Sequence, residues 1–151
     1  MSKIEIIPLE EKSSDDSMIT LRVTLPRNLY GKLNAFMNND TWEKAEALRQ
    51  AKLHDCLKSL EVALNWGLNH DNSGARVFAT LLASLYNGNR VKLDVSDLAL
   101  LDGENFEHAM NVIRLCMETR REPHTFFKNG GELFEKMIAD WGFEKKKRRA
   151  A

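Results

Sequence analysis

From Ile19 to Leu25 the odd positions are apolar (Ile19, Leu21, Val23, Leu25) and the even ones polar (Thr20, Arg22, Thr24). A strict period of two, rich in β-branched side chains, predicts a strand with one apolar face. Ile4–Pro8 is weakly strand-like, and Glu10–Ser17 is a polar linker without periodicity. Pro26 ends the strand and suits the opening turn of a helix.

Beyond Pro26 the apolar spacing changes to three and four. Leu29, Leu33, Phe36 and Met37 share one face of a short helix over Asn28–Met37, weakened by Gly31 and stopped by Asn38-Asn39-Asp40. Asp40 with Glu43, or Thr41 itself, caps a second helix from Trp42 to Leu68. Its apolar stripe is Leu53, Cys56, Leu57, Leu60, Leu64 and Leu68, and its length makes a bend near Gln50 reasonable. After the turn His70–Gly74, the dense run Val77, Phe78, Leu81, Leu82, Leu85 and Tyr86 marks the central core helix, closed by Asn87-Gly88-Asn89. Asp94–Leu101 reads as a short helix with Asp94 as cap and Asp97 in its first turn. Glu104–Arg120 follows, burying some of Phe106, Met110, Ile113, Leu115 and Met117. Pro123 breaks that helix; a last one follows Gly130-Gly131 to Trp141 and stops at Gly142.

The expected fold class is therefore mainly α, an N-terminal strand followed by a multi-helix orthogonal bundle. Residues 1–17 form a flexible segment, 18–57 the strand and first helices, 58–143 a helical domain and 144–151 a disordered basic tail.

The 151 residues are 43% hydrophobic and 29% charged, a globular balance. Cys56 and Cys116 lie inside apolar helical patterns, so buried thiols and a reducing compartment are expected rather than a bridge. No apolar run suits a membrane span and no secretory leader opens the chain, which points to the cytoplasm, in a bacterium. Net charge is zero but unevenly spread. Two Lys against five acids make residues 1–17 about −3; seven cations against four acids make 18–60 about +3. Eight against twelve make 61–143 about −4, and five against one make 144–149 about +4.

Candidate chemistry is thin. His54, His70, His108 and His124 have no metal spacing, and Glu104 with His108 supplies two ligands where zinc needs three or four. No phosphate loop, nucleophile elbow or Cys-x-x-Cys is present. No enzyme activity, cofactor or metal is expected. Trp42, Trp66 and Trp141 read as packing residues, His124 as fixing a loop, Arg120 and Arg121 as surface groups. Lys145–Arg149 is a solvated tail able to add salt-sensitive contact with nucleic acid.

Ile19–Pro26 followed by Asn28-Leu29-Tyr30-Gly31-Lys32-Leu33 resembles the ribbon-helix-helix family. The resemblance implies an obligate homodimer, two strands forming an antiparallel ribbon in the major groove of duplex DNA. Thr20, Arg22 and Thr24 would then face bases, Ile19, Leu21, Val23 and Leu25 the dimer core. Backbone amides near Thr41 and Trp42 would meet a phosphate. Read without the resemblance, the same residues make an ordinary edge strand or a hairpin partner of Ile4–Ile7.

From about Ser59 to Phe143 the chain resembles a helical domain of unknown function from proteobacterial plasmids and other mobile elements. Asp71–Val77, Phe78–Leu85, Leu93–Leu98, Asp102 onward, Arg121–His124, Gly130-Gly131 and Ile138–Gly142 carry it. Two functions are expected from these readings. One is a homodimeric DNA-binding regulator; the other is a protein-binding accessory factor that modulates a host protein complex, as inhibitors of bacterial CRISPR defence do.

Overall fold

The structure is a computed structural model that describes residues 26–37 and 40–144. These fall into two units, 26–52 and 53–144.

In the first unit, the Pro26 carbonyl accepts the Leu29 amide (2.9 Å), closing a 3-10 turn over Arg27–Leu29 that runs into α1, Tyr30–Met37. The long helix α2, Thr41–Asn69, follows. Asp40 stands just before it, its carbonyl accepting the Lys44 amide (3.0 Å) and its carboxylate pairing with Lys44 Nζ (2.9 Å). No residue from 26 to 52 is buried among those described. The expected face of α1 exists as spacing but buries none of its residues: Leu33 is half-buried, Phe36 is 60% exposed and Met37 63%.

From Leu53 onward α2 belongs to the second unit and becomes a packing helix. It buries Leu53, Cys56, Leu57, Leu60, Ala63 and Leu64, the expected stripe with Leu68 left half-buried. No break interrupts the helix at Gln50. Helix α3, Ser73–Tyr86, is capped by Asn72, whose Oδ1 accepts the Ala75 amide (2.9 Å). It buries residues on nearly every side (Ala75, Val77, Phe78, Ala79, Leu81, Leu82, Ala83) and packs on α4, Gly103–Thr119, and α5, Gly130–Asp140. A helix apolar all round belongs at the centre.

Three details depart from expectation. The short helix after Asp94 is a 3-10 turn, Val95–Leu100, held by Asp94 Oδ1 accepting the Ser96 amide (2.9 Å). In α4 the inward residues are Ala109, Val112, Leu115 and Cys116, while Phe106 and Met117 stay exposed, because 109, 112 and 116 recur at the helix period and 106 and 117 flank that line. A second 3-10 turn, Pro123–Phe126, carries buried Pro123 and Phe126 into the core where a plain loop was expected. Helix α4 ends on Arg120 in the left-handed region (φ 51°) and α5 is followed by Gly142 (φ 63°).

The expected class, a strand ahead of an orthogonal bundle, is corrected. Among the described residues no strand occurs and the elements are helical, because the buried positions repeat at three and four from Leu53 to Ile138 and fill the core without a sheet. The segment 19–25 assigned to a strand lies outside the described residues, as do Ile4–Pro8 and the tail 145–149. Among the described residues no helix is long and apolar enough to cross a membrane.

Candidate functional site

The domain 53–144 carries an open groove of about 1150 Å³. One wall is α3, presenting Arg76 and Thr80; another is the loop Asn89–Lys92. Asp97 stands on the 3-10 turn, and the end of α5 with its exit supplies Ile138, Ala139, Gly142, Phe143 and Glu144.

Its cations divide into two kinds. Arg90 is fully engaged: its guanidinium donates to both oxygens of Glu135 (2.6 and 2.9 Å) and to Glu144. Tyr86 Oη also donates to Glu135 Oε1 (2.8 Å). The hydrogen bonds from Arg90, then from Tyr86, hold the Glu135 carboxyl below the usual range. The bond to Glu135 raises the Tyr86 phenol, and Arg90 is held more firmly protonated by Glu135 and Glu144. This cluster ties the loop after α3 to α5 and to the residues beyond it.

Arg76 and Lys92 are of the other kind. Both are exposed, and among the described residues no carboxylate pairs with either. The Arg76 guanidinium lies 6.0 Å from the Trp141 ring centre and 5.8 Å from that of Phe143, whose rings stack at 11°. Trp141 is fixed in turn, its Nε1 donating to the Gly67 carbonyl (2.7 Å). That contact needs α2 close by: a Cβ on Gly67 would stand 2.9 Å from Met137 Sδ and 3.4 Å from Ala79 Cα.

Among the histidines, His108 is not the surface partner of Glu104 that the spacing suggests. Its Nδ1 is 3.0 Å from Ser59 Oγ, and Asn111 Nδ2 donates to the same oxygen (3.1 Å). A serine beside a histidine is where nucleophilic catalysis begins. Ser59, however, is 3% exposed, and the Asn111 bond withdraws electron density from its oxygen. The trio works as a satisfied polar lock between α2 and α4.

His124 does fix its loop. Its ring meets Tyr86 edge-on (4.9 Å) and Phe134 (6.3 Å), and its Nδ1 stands 3.3 Å from Glu122 Oε2 without hydrogen-bond geometry. Its carbonyl lies where a Cβ on Gly130 would be, 1.8 Å away, so only glycine fits there.

Of the residues assigned to DNA by sequence, Thr20, Arg22 and Thr24 lie outside the described residues; Thr41 and Trp42 are exposed in the first turn of α2. Trp42, expected to pack, is 53% exposed. Arg121, expected at the surface, is there, lying 4.3 Å from the Phe126 ring and donating to the Thr125 carbonyl (2.9 Å). Arg76 was missed as a site residue, although it is the only charged residue between Asp71 and Arg90 and interrupts the most apolar helix. Lys92 and Asp97 had no comparable signal. Both cysteines are buried, as expected.

The fold and groove define an all-helical domain with a charged cleft beside α3 and the end of α5. The chain belongs to a family of unknown function, DUF7673, which matches residues 57–142. No curated protein and no solved structure matches it.

Proposed function

We propose that this chain is a non-catalytic, protein-binding accessory factor that works as a homodimer, with helices 26–52 as its pairing arm. One observation carries the reading. Leu29, Tyr30, Phe36, Met37, Trp42 and Leu48 are 40–73% exposed, and among the described residues none from 26 to 52 is buried. Scattered surface apolar residues are ordinary, but six in so short a segment mark a surface that a partner covers.

Charge selects a second copy as that partner. The stretch 26–37 holds Arg27 and Lys32 and no acid; 40–46 holds Asp40, Glu43 and Glu46 against Lys44, with Arg49 and Lys52 following in the same helix. Two arms laid antiparallel about a two-fold axis set the cationic stretch of each against the acidic stretch of the other. The pair would offer two family domains to a client, in keeping with the mobile-element setting that the sequence resemblance implies.

Light scattering of the full chain across a concentration series tests this. The wild type is expected to run as a dimer and Phe36→Asp/Met37→Asp as a monomer with an unchanged helical circular dichroism spectrum. Burying a Phe or Met contributes about 1.5–3 kcal/mol each, so the double change weakens pairing by roughly a hundredfold or more. A wild type that is monomeric throughout, or a variant that still dimerises, ends the proposal. A dimer that needs Thr20, Arg22 and Thr24 and binds duplex DNA would instead support the regulator.

A further inference from the structure

We infer that the groove beside α3 is the client site, and that it takes an extended peptide segment carrying carboxylates between apolar side chains. The inference rests on the accessory-factor reading and names the chemistry of what that factor binds.

Three features of the groove select this occupant. First, Arg76 and Lys92 face it without a carboxylate partner among the described residues, whereas Arg90 beside them is already saturated by Glu135 and Glu144. Two open cations beside one closed clamp leave a local demand for negative charge. Second, the lining also includes the apolar residues Val91, Ile138, Ala139 and Phe143, of which Ala139 is exposed and Phe143 half-buried. A peptide alternating acidic and apolar residues satisfies both at once. Third, the positions are stiff: Arg76 rests on the stacked Trp141 and Phe143 rings, and Trp141 is tethered to Gly67. Preorganised donors cost less to order on binding.

Asp97 is the discordant group, a carboxylate on the same rim. It lowers the net open charge and suits a backbone N–H or a basic residue next to the acids. It also argues against a nucleic acid strand. So does the described part of the domain: residues 53–144, before the five cations of 145–149, hold nine Lys and Arg against fourteen Asp and Glu, a net of −5. A long polyanion would feel that field, whereas a short peptide is governed by the charges within a Debye length of about 8 Å.

Fluorescence anisotropy with the full chain tests the inference, using a labelled peptide of alternating Asp and Leu. An alternating Lys and Leu peptide and an oligothymidylate serve as comparisons. The acidic peptide is expected to bind saturably and to weaken as salt rises. Arg76→Gln/Lys92→Gln should lose roughly tenfold in affinity, as for two partly desolvated ion pairs. Asp97→Asn should gain about twofold. Thermal unfolding of each variant, expected within a few degrees of wild type, separates lost binding from lost fold. Binding indifferent to the double substitution, equal binding of the basic peptide, or tighter groove-dependent binding of the oligothymidylate would each overturn it. Light scattering on the same samples keeps the two proposals apart. Failure of the peptide with the dimer intact removes only the groove, and a monomer that still binds the peptide removes only the pairing arm.

Discussion

The two stretches of α2 on either side of Lys52 and Leu53 share one helix and behave as different materials. Up to Lys52 its surface carries Trp42 and Leu48 in the open, and Asp40 pairs with Lys44 and Glu46 with Arg49. After Leu53 it meets α3, α5 and the polar lock at Ser59, and most positions that face inward are buried. Continuous hydrogen bonding along a helix therefore says little about where its stability comes from; the packed face decides. Substitutions should accordingly be felt in proportion to what they touch in the second unit and be nearly silent in the first, apart from pairing.

The largest effect is expected at Gly130. Its Cβ would fall 1.8 Å from the His124 carbonyl, a backbone atom that cannot swing aside. Gly130→Ala should cost at least about 3 kcal/mol, as overpacking against fixed backbone does, and denaturant unfolding should show a lowered midpoint or no cooperative transition. A variant with the wild-type midpoint would refute the close approach.

Next comes a matched pair that tests the contrast itself. Leu82→Ala removes a fully buried side chain from α3 and should cost about 2–5 kcal/mol. Leu48→Ala, at a site 73% exposed, should change monomer stability by less than about 0.5 kcal/mol. Comparable losses would mean that the first unit has a core after all.

The smallest effect is a pH dependence at the Arg90 cluster. Glu135 has a folded value below its unfolded one, near 4.3. Its contribution is thus fully present above that unfolded value and fades as pH falls through the lower, folded one. Because the pair is largely exposed, Glu135→Gln should alter the melting temperature at neutral pH by no more than about 2 °C and flatten its decline between pH 4 and 3. An identical decline in both proteins would remove Glu135 as the cause.

Much of the packed unit could be read from the sequence because its physics is local. The density of Val77, Phe78, Leu81 and Leu82 predicts a central helix, and Asp94, Asp102 and Gly142 mark ends that the structure confirms. Asn72 caps α3 within the turn that was expected to hold capping chemistry. What could not be read depends on pairs far apart in the chain. Ser59 with His108, Trp141 with Gly67 and Arg90 with Glu135 are separated by 49, 74 and 45 residues, and no periodicity relates such partners. The groove is made of these long-range placements, so periodicity along the chain does not single out Arg76 or Lys92. The alternation at 19–25 points the other way. Period two is a strong local signal, yet the described fold is helical and builds its core from later residues.

Burial of Cys116 has a chemical consequence. Desolvation pushes its thiol up to about 11. Only the thiolate attacks oxidants, disulfides and soft metals, and at neutral pH it would make up roughly one molecule in ten thousand. Cys56 is buried as well, so neither thiol of the domain faces solvent.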